Sequence, residues 1–179
     1  MRAVLISIRP KWCEKIINGD KTIEVRKTRP KLETPFKCYI YCTKDKHLAF
    51  MQNRFGTKLI ACMDAETAIP VGGTLGNGKI IGEFTCDRID RLAPTNEPYG
   101  IYDIDDDYVL QTCLENGALW DYGHGTPLYG WHISGLRIYD APRELSEFTG
   151  LRTFKGGFEL REIDRPPQSW CYVEVMEDV

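Results

Sequence analysis

Hydrophobic and polar positions alternate along much of the chain, and the alternation outlines strands. Successive strand side chains point to opposite faces. In residues 3–8, "AVLISI", Val4, Ile6 and Ile8 fall on one face, and Leu5, Ser7 and the following Arg9 on the other. Residues 36–42, "FKCYIYC", set Phe36, Cys38, Ile40 and Cys42 against Lys37, Tyr39 and Tyr41. Residues 21–27 read as a strand with Ile23 and Val25 on one side and Thr22, Glu24 and Arg26 on the other. Further strands are predicted over 78–89, over 129–142 with Gly135 at a bulge or turn, and over 169–177.

The period turns helical over 10–18, where Trp12, Ile16 and Ile17 share a face. Pro10 suits the first helical turn, and Gly19 supplies a left-handed stop. Helices are also predicted over 45–55, "DKHLAFMQNRF", around 62–68, "CMDAETA", over 105–117 ending at Gly117, and as a turn or two at 144–148. The "VGGTLGNG" run leads into a strand, so it lacks the helix N-terminus that phosphate loops use. These elements predict an α+β fold: a small, mostly antiparallel β-barrel decorated by short helices, with the helix at 10–18 covering one opening.

The 179 residues suit one domain with a sizeable core, and no internal repeat or low-complexity linker divides them. A hydrophobic share of 42% and a charged share of 27% are those of a soluble globular chain. No apolar run reaches membrane-span length, and Arg9 and Lys11 follow the first apolar stretch without a cleavage site, so a cytoplasmic location is expected. The net charge of −3 argues against a generally basic nucleic-acid binder. The charge is uneven, however: a basic excess between Arg2 and Lys46 contrasts with the acidic "DIDDDY" at 103–108, which leaves room for a small basic surface. The 7 cysteines lack a CxxC pair and fall within apolar strand patterns, so free buried thiols are expected, with no metal and no cofactor.

Candidate chemistry gathers around "NGDKTIEVRK", residues 18–27. A plain surface strand would face solvent with Glu24 and Arg26 as an ion pair of little consequence. The sharper reading makes that polar face one wall of a ligand cleft. Arg26 is then a planar fork for an anion, Glu24 its orienting carboxylate, and Lys21 a second cation entering from the turn, with Thr22 on the same face. Ser7 and Arg9 would join if the first two strands are neighbours. Trp12, Tyr41 and Trp170 are flat surfaces on which a base can stack, and Gln168 and Ser169 can read a base edge or ribose. Core packing competes for Trp12 and Trp170, and His132 reads as a packing residue.

The run Gly19-x-Lys21-x-x-Glu24-x-Arg26, preceded by a short helix and followed by "YIYC", a strand ending in "GEF" and a last β-strand, resembles the ASCH domain, a branch of the PUA-like superfamily of small barrels. The resemblance spans nearly all of residues 1–179, with 44–77 and about 99–127 standing as insertions. It implies binding of single-stranded RNA or a modified nucleotide in a cleft beside the motif. Some relatives are amidohydrolases of acylated cytidine that use the motif lysine, a threonine three residues later and a distant glutamate. Here Lys21 matches and Glu24 stands in the threonine's place, which puts the hydrolase second. Were the protein an enzyme, an amidohydrolase or a metal-independent ribonuclease, Lys21 and Glu24 would be its catalytic candidates. A protein-interaction module without a ligand is the third alternative.

Overall fold

The computed structural model describes residues 1–53, 56–61, 63–64, 73–96 and 100–176. The chain begins with strand β1 (Arg2–Ile8) and helix α1 (Pro10–Ile17), which Arg9 enters in an extended conformation and which Gly19 leaves at φ +80°. Strands β2 (Ile23–Arg26) and β3 (Phe36–Cys42) follow. Next come β4 (Leu48–Asn53), β5 (Gly56–Ala61) and β6 (Gly73–Leu75), then the long β7 (Lys79–Leu92). Helices α2 (Asp106–Thr112) and α3 (Asn116–Gly123) precede the long β8 (Leu128–Arg143). A short 3₁₀ turn at Leu145–Glu147 leads to β9 (Thr149–Phe154), β10 (Gly157–Glu162) and β11 (Trp170–Glu174).

Eight strands form one sheet in the order β10-β9-β11-β1-β3-β7-β8-β2. Only β1 and β3 pair in parallel; the other neighbours are antiparallel. The sheet curls because β7 and β8 slip register three times along their ladder. Bulges bend a strand and add twist. Gly135, at φ +55°, lies in one of these slips, and a Cβ on Gly82 would sit 2.5 Å from the Arg137 carbonyl oxygen. The curl brings distant strands together. Trp131 on β8 packs 6.0 Å from Trp170 on β11, and Arg26 on β2 donates to the Ser7 carbonyl on β1 at 2.7 Å. The fold is therefore the expected barrel-like α+β arrangement.

The interior cluster joins Val4, Ile6 and Ile8 of β1 to Cys38, Ile40 and Cys42 of β3, with Cys13 and Ile16 of α1 beneath Phe50. The alternation in both strands thus points to the core as predicted. On the sheet's other face Leu5, Tyr39, Tyr41 and Tyr139 pack with Phe148. A third cluster, Val25 with Leu92, Tyr102, Leu119 and Leu128, fastens α3 to the back of β2. No described helix is long and apolar enough to cross a membrane.

Two helix expectations give way. Residues 48–53 are a strand, followed from Gly56 by a second one, instead of a helix over 45–55. The Asn77 side chain accepts from the Phe50 amide at 2.6 Å and donates to the Leu48 carbonyl at 2.8 Å. With β5 and β6 on either side, these partners take the backbone groups a helix would have bonded internally. The predicted helix over 105–117 is two helices. Cys113 turns left-handed at φ 54°, and Gly117 sits in the first turn of α3 rather than at a stop. Most of the helix expected around 62–68 lies outside the described residues. The hairpin of β9 and β10 carries little inward-facing hydrophobic pattern and was not predicted. Cys13, Cys38, Cys42, Cys86, Cys113 and Cys171 are free, and Cys62 lies outside the described residues.

Candidate functional site

Glu24 and Arg26 alternate with Val25, so once Val25 is buried against α3 the two charged side chains must face the barrel. There they help line a cavity of about 570 Å³, whose walls also include Ser7, Arg9, Trp12, Lys21, Gln168 and Ser169. Eight residues singled out from the sequence thus meet on one concave surface. Three others lie elsewhere. Tyr41 packs into the cluster on the opposite face of the sheet, because alternation along β3 turns it away from the interior. Thr22 is exposed, and its backbone bridges the Gln111 carbonyl to the Ile133 amide. Trp170 borders a neighbouring cavity, its indole N–H donating to the Thr28 hydroxyl at 3.0 Å.

The charged side chains form a connected network centred on Glu24. The Glu24 carboxylate meets Arg26 at 2.8 Å and Lys21 at 3.4 Å. Arg26 also donates to the Ser7 carbonyl and, at 3.5 Å, to the Ser169 hydroxyl, which ties β2 to β1 and to the approach to β11. Lys21 donates to the carbonyl of Thr112 at 2.6 Å. Thr112 is the last residue of α2, so the ammonium caps an orphan carbonyl at the negative end of that helix. The acidic run noted in the sequence serves the other end: Asp105 accepts from the Tyr108 amide at 2.8 Å, with Asp106 and Asp107 in the first turn.

Lys21 is only 1% exposed. Burial holds its ammonium below the ordinary pKa of 10.5, and the neighbouring Glu24 carboxylate partly opposes that shift. Arg26 Nε is buried without an acceptor among the described residues. The donors expected to reach outward are thus mostly engaged by the protein, and this one remains. The aromatic wall is charged at its edges. Lys21 stands 5.1 Å and Lys11 4.4 Å from the centre of Trp12, and Lys27 stands 5.0 Å from that of Tyr122. Burial raises the Tyr122 hydroxyl above its usual pKa.

Sequence reasoning missed Thr43, just after β3, and the whole wall supplied by Leu114, Ala118 and Tyr122. The last three lie in the segment read as an insertion. Tyr122 and Ala118 at helical spacing were the available signal, but nothing local says what that helix faces. His132, read as a packing residue, has two polar neighbours: its ring nitrogen lies 2.6 Å from Asp90 and 3.0 Å from Arg88, and it does not line the cavity. Among the described residues no cluster of side chains suits a metal ion.

No protein-family model matches the chain, and no curated protein does. Solved structures do match. An ASCH protein from Zymomonas mobilis superposes with a TM-score of 0.51 at 16% identity, covering 96% of this chain and 87% of that one. A serine-to-alanine variant of that protein gives a TM-score of 0.50 at 17% identity, covering 96% and 88%. At such identities the likeness is one of fold: the chain has the architecture of an ASCH domain.

Proposed function

We propose that the cavity binds one nucleotide unit of a single-stranded RNA, or a free nucleotide of the same chemistry. The observation that carries this reading is the make-up of the wall. One cavity combines two aromatic side chains, Trp12 and Tyr122, a carboxamide and a hydroxyl at Gln168 and Ser169, and an exposed cation at Arg9. Flat apolar surface suits a base, amide and hydroxyl suit its hydrogen-bonding edge, and a guanidinium suits phosphate. The volume lies within the range typical of small-ligand sites. An acceptor on the ligand would satisfy Arg26 Nε, whose burial without a partner costs ~1–3 kcal/mol. The buried network of Lys21, Glu24 and Arg26 then keeps the wall in one shape, so little ordering is left for the ligand to drive.

The test is a titration of short labelled single-stranded RNAs and mononucleotides. Arg26→Ala should weaken binding by ~1–3 kcal/mol, the scale of a lost charge-assisted hydrogen bond. Because Arg26 is buried, the exposed Arg9→Gln and Gln168→Ala serve as companions whose folding is secure. Arg9→Gln should also reduce the salt dependence by about one phosphate contact. Unchanged binding in all three would sink the proposal.

A hydrolase acting on acylated cytidine is the second reading, and one observation favours it. Lys21 is a cavity-wall lysine held below its ordinary pKa, as a general base would be. Turnover of the acylated nucleoside by the wild type, abolished in Lys21→Met while the fold persists, would establish it.

A further inference from the structure

The hairpin of β9 and β10 differs from the rest of the surface. Phe154, Phe158 and Leu160 are 58%, 54% and 56% exposed, and all six residues of β10 face solvent. β10 is also a terminal strand of the eight-stranded sheet, so one side of its backbone lacks a strand partner among the described residues. Edge strands are ordinarily blunted by proline, by a bulge, by a covering segment or by charged side chains, and of these β10 has only the last, Glu159, Arg161 and Glu162. "GFELRE" contains no proline, and its ladder with β9 runs without a register slip.

We propose that β10 is the dimerisation edge of this protein, pairing antiparallel with β10 of a second copy about a two-fold axis through Leu160. The backbone phase supports this register. Phe154 and Gly157 pair across the two-residue turn Lys155-Gly156. The alternation of an antiparallel ladder then directs the amides and carbonyls of Gly157, Glu159 and Arg161 toward β9. Those of Phe158, Leu160 and Glu162 point outward. Centring the axis on Leu160 sets Leu160 against its own copy and Phe158 against Glu162 of the copy, so every outward-pointing group on these residues meets a partner.

The side chains agree with the backbone. In that register Glu159 falls opposite Arg161 of the other copy, twice by symmetry, at the positions without ladder hydrogen bonds, where facing side chains come closest. Arg161 has no ion pair among the described residues, and Glu159 has only the 3.6 Å contact to the exposed Arg152 of its own hairpin. A shift of one residue in either direction would put the outward-pointing backbone groups out of phase. On the other face, Leu160 and Phe158 of both copies form one apolar stripe across the seam. An isologous contact of this kind closes on itself instead of growing into a filament. A six-residue ribbon buries little surface, so the dimer belongs to the weak class and depends on concentration.

Analytical ultracentrifugation of the full chain over a wide concentration range tests this. The average mass should climb from one copy toward two, and Leu160→Lys, which sets two ammonium groups at the axis, should hold it at one. Glu159→Arg and Arg161→Glu should each weaken association roughly tenfold, since each creates two like-charge pairs at the seam. The double variant carrying both reversals restores the complementary pairs and should dimerise again. Circular dichroism confirms that each variant is folded. A wild type that stays single at every concentration overturns the proposal. So does a dimer indifferent to Leu160→Lys, or a double variant as weak as the singles.

Discussion

Glu24 on β2 and Glu83 on β7 invite comparison, because the two carboxylates belong to one sheet and each is met by a lysine and an arginine. Glu83 lies 3.2 Å from Lys37 and 3.9 Å from Arg137, and accepts from the Tyr139 hydroxyl at 2.7 Å. Burial and this carboxylate together push the Tyr139 hydroxyl well above its usual pKa. The side chains of Lys37 and Arg137 are 27% and 58% exposed, so water screens both cations. Around Glu24 the cations are sunk with the anion, at 1% for Lys21 and 9% for Arg26, and each is also anchored to a backbone carbonyl. Similar residue types thus make two different devices. A buried carboxylate whose cations reach water is the more tolerant cluster; one whose cations are buried with it is a rigid wall whose members depend on one another.

The largest effect should follow from removing the anion at the buried site. Glu24→Gln leaves two cations in the wall with no counterion and should cost ~3–5 kcal/mol, the scale for breaking a buried pair. Urea unfolding measures it, and a loss below ~1 kcal/mol, the range of exposed pairs, would erase the contrast. On the other face Tyr139→Phe removes one largely buried hydrogen bond and should cost ~1–2 kcal/mol while leaving ligand binding as it was. Lys37→Ala should stay within about 1 kcal/mol and lose even that in high salt.

The smallest effect is a slope. Lys21 has a folded pKa below its unfolded value, so between the two the unfolded chain carries the proton and the native chain does not. Stability contributed at this site therefore rises with pH as the solution approaches 10.5. The stability of wild type relative to Lys21→Met should rise through that window, read from melts at matched pH. A flat difference for Lys21 would mean that its ammonium is solvated.

Particular stretches show how far the pattern along the chain could be followed. The alternation over 3–8 and 36–42 places its apolar sets in the interior, and Pro10 and Gly19 bound α1 as their backbone preferences require. The order of charges around Glu24 was visible too, because period-two spacing puts Glu24 and Arg26 on one face wherever that strand lies. Residues 48–53 were not legible: their apolar run suits either period, and Asn77, 27 residues from Phe50, decides between them.

Local periodicity, turn chemistry and the grouping of polar residues on one strand were settled by the sequence itself, since they depend on neighbours a few positions apart. Tertiary structure decided what those groups face. Val25 could be known to oppose Glu24, but only the packing of Leu92, Tyr102, Leu128 and α3 behind β2 buries Val25 and turns Glu24 inward. Lys21 could be seen as a turn cation, but its depth comes from the walls that close over it, with the Thr112 carbonyl 91 residues along the chain as its partner, and that burial lowers its pKa. Burial is a property of everything that surrounds a side chain, and here it turns an ordinary run of charges into the wall of a cavity.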